Sequence, residues 1–171
     1  ARTELASQVA VLSHVLGEMV SYQAEGCGYL IQDMVPNPRL AQAQQSQGST
    51  IPLEAHTEQC FSDFRPDFVV LSSLRGDPDA HTYTFTARKL MNRLSESEVE
   101  LLHQPLWTTR IDSSFAAYVP DPDEVRGPFA ILTGNDGDPH MLVDQDLMSG
   151  TTAESQELLE KVIRIYDEFK D

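Results

Sequence analysis

Apolar positions recur along this chain with two periods. Leu5, Val9, Leu12, Leu16 and Met19 are helically spaced and predict an amphipathic helix over 3–23, packed on a core and ended by Gly26 and Gly28. "YLIQDMV", Tyr29 to Val35, is apolar and strand-like and is closed by Pro36 and Pro38. "AQAQQSQGST" after it is polar and Gln-rich, a loop expected to be mobile. "DFVVLSSL" and "TYTFTA" read as strands joined by a turn at "RGDPD". "SESEVELLHQ" predicts a short helix capped by Ser95 or Ser97, and "LWTTRI" a strand. "PFAILTG" and "HMLVDQ" flank Asn135-Asp136-Gly137-Asp138, a hairpin-type turn. The last segment is the clearest. Thr151-Thr152-Ala153-Glu154 has the form of a capping box, and Leu158, Leu159, Val162, Ile165, Tyr166 and Phe169 follow as a helical stripe. The pattern describes one domain over residues 1–171, mainly β with helices at its ends and no internal repeat.

Charge narrows the partners. The chain carries 12 Lys and Arg against 27 Asp and Glu, a net charge of −15. Nucleic acids and anionic membranes need basic patches, so neither is an expected partner. A small or cationic ligand suits such a surface, although solubility alone also explains it. No apolar run is long enough to cross a bilayer, and residues 1–20 lack the form of a signal peptide. Cys27 and Cys60 have neither metal-ligand spacing nor a disulfide framework, and read as reduced thiols of a cytoplasmic protein.

One triplet carries candidate chemistry. On an extended segment His56 and Glu58 point to the same face while Thr57 points away. An imidazole and a carboxylate make two-thirds of the 2-His-1-carboxylate triad that holds non-haem Fe(II) and leaves coordination positions open. Spacing alone is weak support: five His among 27 acids in 171 residues predict roughly one chance match. None of His14, His81, His103 and His140 has a neighbourhood that argues for metal. A hydrogen-bonded His at a strand end remains open on the residues alone, as does a zinc-binding module completed by another His.

The surrounding residues are more specific. His56-Thr57-Glu58, Arg65-Pro66-Asp67-Phe68 leading into an apolar strand, and Arg75-Gly76-Asp77 occur in this order, followed by "TTRIDSSF", "RGPFAILTG" and "DQDLMSGT". This series resembles the clavaminate synthase-like group of Fe(II)/2-oxoglutarate oxygenases, which includes hydroxylases of free amino acids. The resemblance covers nearly the whole chain. It implies a double-stranded β-helix (jelly-roll) core, truncated here before its C-terminal strands. In that group the final helix is followed by strands carrying the distal iron His and an Arg that binds 2-oxoglutarate. Neither lies in these 171 residues, so the chain is expected to be a fragment.

The resemblance also implies residue roles. His56 and Glu58 match iron ligands, and Thr82 matches a Thr that helps hold 2-oxoglutarate. Asp112, Asp144 and Asp146 match substrate contacts, as does Gln32, at a position near the amino acid's backbone groups. Each has a plainer reading: strand propensity for Thr82 and Gln32, turn chemistry and solvation for the three acids. Two carboxylates two apart on an extended segment would face one way and accept a guanidinium or ammonium group. The expected function is hydroxylation of a small, arginine-like amino acid or its derivative, with Fe(II), 2-oxoglutarate and O2. The competing expectation is a non-catalytic jelly-roll binding module with an incomplete metal site. The 41–50 loop is expected either to close over the site or to lie on the surface. Spacing and resemblance leave the oligomeric state open.

Overall fold

The structure, a computed structural model, describes residues 4–73 and 75–170. Among the described residues four α-helices and five short strands order as α1 (Glu4–Leu16), α2 (Ala87–Met91), α3 (Glu96–Leu102), β1 (Trp107–Arg110), β2 (Val125–Phe129), β3 (Leu132–Asn135), β4 (Asp138–Met141), β5 (Met148–Gly150) and α4 (Ala153–Lys170). The architecture is mixed helix and antiparallel sheet, which corrects the expectation of a mainly β chain. Strand β1 is central in a three-stranded sheet ordered β2-β1-β5, and β3 pairs with β4. The register sets Trp107 opposite Phe129 on one side and Gly150 on the other.

The core forms where α4 lies against β5, β1 and the short helices. Leu158, Leu159, Val162, Ile165 and Tyr166 are buried along α4, and meet Leu90, Leu102, Trp107, Ile131, Leu132, Val143 and Met148. Fully burying each of the larger aliphatic side chains contributes about 1.5–3 kcal/mol. Trp107 joins sheet to helix by a hydrogen bond as well, its Nε1 donating to Ser155 O at 3.1 Å. Capping fixes the helix starts. Ser95 caps α3 in a full capping box with Glu98. For α4 the reciprocal pair lies one residue later than the predicted Thr151–Glu154. Ser155 N donates to Thr152 Oγ1 at 3.1 Å and Thr152 N to Ser155 Oγ at 2.9 Å. A serine hydroxyl takes the role usually given to Glu or Gln.

Three predicted strands do not form. Segments 29–35, 67–73 and 82–86 run without a sheet partner among the described residues; Leu74, the end of the second prediction, lies outside them. Tyr29, Leu30, Val35, Phe68, Val69 and Leu71 are exposed. β-propensity favours a pleated, half-buried surface, but a strand also needs a neighbouring strand to pair with, and among the described residues no strand pairs with these segments. Phe85 is half-buried, its ring packing against Tyr166 at 4.9 Å and Phe169 at 5.1 Å. Helix α1 stops at Leu16, short of the predicted end, and the stripe expected to pack stays exposed at Leu12 and Leu16; Ala6 is buried.

The predicted turns form. Asn135 Oδ1 accepts from Gly137 N at 2.9 Å and Asp138 N at 3.1 Å, closing the β3–β4 hairpin. Asp77 Oδ1 accepts from Asp79 N at 3.0 Å in "RGDPD". The 41–50 loop is ordered by its own hydrogen bonds: Thr50 N and Oγ1 both donate to Ala41 O, at 2.9 and 2.7 Å. Among the described residues no helix is long and apolar enough to cross a membrane. Cys27 is an exposed free thiol and Cys60 a buried one.

Leu102 has no exposed surface, whereas Leu71 is 72% exposed. Urea unfolding should show Leu102→Ala destabilised by about 2–5 kcal/mol, and Leu71→Ala changed by no more than about 0.5 kcal/mol. Equal losses at the two positions would contradict this placement of the core.

Candidate functional site

The His56 segment is held in place by pairing rather than by membership of a sheet. His56 and Asp144 form an isolated antiparallel bridge. Thr57 N donates to Val143 O at 2.7 Å, and Gln145 N to Ala55 O at 3.0 Å. Side chains complete the ladder: Ala55 N donates to Gln145 Oε1 at 3.1 Å, and Val143 N to Thr57 Oγ1 at 3.1 Å. Thr57 thus turns into the β4–β5 connection, away from the exposed face that carries His56.

The His56 ring is oriented by its own chain. Its Nδ1 lies 2.8 Å from Glu54 O. A carbonyl only accepts, so Nδ1 carries the proton, and in the neutral ring Nε2 presents its lone pair. This is the usual arrangement of a metal-binding histidine, whose second nitrogen donates to a carbonyl or carboxylate. Glu58 opens a turn stabilised by a hydrogen bond from Ser62 N to Gln59 O at 2.8 Å. Gln59 there adopts φ 48°. The chain therefore bends away immediately after the His-x-Glu triplet.

That bend brings in a residue not singled out in the sequence. Gln59 is 6% exposed, and its Nε2 donates to Glu25 Oε2 at 3.1 Å. Its Oε1 is buried without a hydrogen-bond partner. Burial pushes the Glu25 carboxyl above the usual glutamate range, the bond from Gln59 pulls it down, and the charges of Glu58 and Asp112 push it up again. Glu58 also raises the nearby Tyr22 phenol, after burial and Glu25. Glu25, Glu58, Asp112, Tyr22 and Gln59 thus share one neighbourhood. Glu25 has no helical or strand period; its carboxylate is recognised only through the approach of Gln59, 34 positions away.

Of the other candidates, Gln32 and Asp112 lie around this group. The Gln32 carboxamide lies over Gly26: a Cβ on Gly26 would stand 2.1 Å from Gln32 Cδ. Gln32 is therefore beside Glu25, with Nε2 at 3.4 Å from Glu25 O. Asp112 caps the short 3-10 helix Ser113–Tyr118, its Oδ1 accepting from Ser114 N at 2.7 Å. Asp144 and Asp146 do not lie on an extended segment. They form a turn in which Asp144 Oδ1 accepts from Asp146 N at 3.0 Å and Leu147 N at 2.9 Å. Burial raises the Asp144 carboxyl, while these two bonds and the His56 imidazole lower it. Asp146 is exposed, and Thr82 lies exposed on the segment leading to α2. No described hydrogen bond ties Thr82 to the His56 neighbourhood.

Among the described residues no three His, Cys, Asp or Glu side chains converge as a metal-ligand set. Cys60 does not extend the donor set. Burial pushes its thiol up to about 12, and a thiol ligates as thiolate. The donors present are an imidazole with its lone pair exposed and a half-buried carboxylate. They fit part of an iron site.

The chain is 47% identical to an L-lysine 3-hydroxylase of Catenulispora acidiphila over 170 residues, 97% of this chain and 47% of that protein. It is 34% identical to an L-asparagine oxygenase of Streptomyces coelicolor over 154 residues, 89% of this chain and 45% of that protein. It is 28% identical to clavaminate synthase 2 of Streptomyces clavuligerus over 142 residues, 82% of this chain and 43% of that protein. The chain thus spans about half the length of the curated relatives it matches. A crystal structure of asparagine oxygenase in complex with Fe(II), 2S,3S-3-hydroxyasparagine and succinate matches with a TM-score of 0.75 at 31% identity, over 93% of this chain and 50% of that one. No family model matches.

Glu25 supplies a pH test. A carboxyl raised in the fold favours the folded state at pH below its unfolded value and loses that contribution as pH rises through the folded value. Glu25→Gln removes the titration and keeps an acceptor for Gln59. Thermal melts should show the variant gaining stability over the parent as pH rises from 4 to 7. A gain that is flat or falls with pH would contradict the placement of Glu25 among like charges.

Proposed function

Because this chain is homologous to the clavaminate synthase-like oxygenases over most of its length, we propose that it carries part of the active site of a non-haem Fe(II)/2-oxoglutarate-dependent oxygenase. Its substrate in this reading is a free basic amino acid of the lysine–arginine kind. The observation that carries the reading is the His56 Nδ1 bond to Glu54 O, which leaves Nε2 ready to ligate beside Glu58. The paired segments around His56 are then part of a double-stranded β-helix, and residues 1–171 belong to a single oxygenase domain.

In this reading His56 and Glu58 hold the iron, while the backbone pairing of Ala55 and Thr57 keeps both from drifting. Iron with 2-oxoglutarate and O2 would supply the oxidation that hydroxylates an unactivated C–H bond. Glu25 and Gln59 Oε1 offer a carboxylate and an unused acceptor to the substrate's ammonium group, with Gln32 beside them. Asp144 offers its outer carboxylate oxygen to a cationic side chain while its Oδ1 holds the turn. Asp112 and Asp146 add negative potential. Thr82 is proposed as a 2-oxoglutarate contact on its family match alone. The similarity to an L-lysine 3-hydroxylase supports a basic substrate, as does the net charge of −15.

Succinate release from 2-oxoglutarate, measured with Fe(II) and a panel of free amino acids, tests the reading. Lysine or arginine should stimulate it most, and the amino-acid product should be heavier by one oxygen atom. Asp144→Asn preserves the turn acceptor but removes the charge. It should raise KM for the basic substrate roughly tenfold or more, as expected for losing a hydrogen bond between charged groups. Absence of amino-acid-stimulated turnover, or turnover indifferent to His56→Ala, would overturn the proposal.

A further inference from the structure

The segment that carries His56 is hydrogen-bonded along both edges. On one edge its partner is the β4–β5 connection. On the other it is a side chain: Gln44 Nε2 donates to Pro52 O at 3.1 Å, and Gln44 Oε1 accepts from Glu54 N at 3.1 Å. One carboxamide thus stands where the peptide group of a neighbouring strand would stand. The carbonyl of the same Glu54 orients the His56 ring, accepting from Nδ1 at 2.8 Å. A continuous path runs from Gln44 through the Glu54 backbone to the imidazole.

Gln44 is presented by an ordered support. Asn37 N donates to Gln47 O at 3.0 Å, Ser49 N to Ala41 O at 3.1 Å and Gly48 N to Gln45 O at 2.8 Å. The loop is closed on itself, and its fixed carboxamide grips the chain two residues before His56. Without that grip, the Glu54 carbonyl would lose one of the restraints on its direction.

We propose that Gln44 is a positioning residue for the metal site. By holding the Glu54 backbone it keeps the His56 proton on Nδ1 and directs Nε2 outward. The inference rests on the reading of His56 as a ligand, but its first readout does not. Two-dimensional 15N–1H spectra of the histidine side chains, with His56 identified by its loss in His56→Ala, report the tautomer without metal. The parent protein should show His56 mainly protonated on Nδ1. Gln44→Met, which keeps length but neither hydrogen bond, should shift it toward a mixture of tautomers. Gln44→Glu keeps the acceptor for Glu54 N and should retain the parent tautomer. Gln44→Lys keeps only a donor and should behave as Gln44→Met does. This pair decides the matter if Gln44→Met fails to fold.

The second readout is Co(II) titration by visible absorbance. Loss of a ligand histidine's hydrogen-bond partner costs about 10- to 100-fold in metal affinity. Gln44 acts one step further out through an exposed bond, so Gln44→Met should weaken binding about three- to tenfold, with Gln44→Glu close to the parent. An unchanged His56 tautomer in Gln44→Met, or in Gln44→Lys if that variant is the one that folds, would overturn the proposal whatever the affinity. A shifted tautomer together with Co(II) binding indifferent to His56→Ala would overturn the ligand reading of His56 instead, and the two failures are thereby distinguished.

Discussion

Everything at the candidate site depends on the pairing of residues 55–57 with residues 143–145. This short ladder has two backbone hydrogen bonds, from Thr57 N to Val143 O and from Gln145 N to Ala55 O, and two in which a side chain stands in for a peptide group. It places His56 opposite Asp144. Buried Val143 anchors one strand of the ladder in the core, and the core is organised by α4 packed on the β-sheet. The path from sequence to chemistry therefore runs through the α4 stripe, through Val143, and out to the exposed imidazole.

Electrostatics gives the site its character. Glu58 and Asp112 oppose the charge of Glu25, and burial raises Glu25 and Asp144 above the ordinary carboxylate range. Gln59 adds a buried acceptor with no donor. Like charges and an unused acceptor cost stability in isolation, and a bound cation offsets that cost. A divalent metal at His56 and Glu58 and an ammonium group near Glu25 would both do so. The local arrangement fits the global charge of −15.

Local signals were legible in the sequence wherever local forces decide the outcome. Ser95 with Glu98 starts α3, Asn135 closes the β3–β4 turn, and the Leu158–Tyr166 stripe faces the core. Segments 29–35 and 67–73 were misread because strand formation depends on a distant partner that propensity cannot supply. The His56-Thr57-Glu58 triplet was legible as a motif, and Thr57 does turn away from His56. The means of holding it were not, since glutamine side chains standing in for peptide groups leave no period in a sequence. Glu25 was invisible for a similar reason, meeting Gln59 only through tertiary approach. The two aspartates of "VDQD" were read as an extended pair, yet the hydrogen bonds from Asp146 N and Leu147 N to Asp144 make them a turn.

The central claim is that His56 and Glu58 form a specific metal-binding face, not merely part of an acidic surface. Paramagnetic broadening of backbone amide resonances by substoichiometric Mn(II) tests it most directly. The account predicts broadening centred on residues 54–59, 25 and 143–146, and its loss in His56→Ala. Broadening spread over the acidic surface of α4 and unchanged by His56→Ala would contradict it.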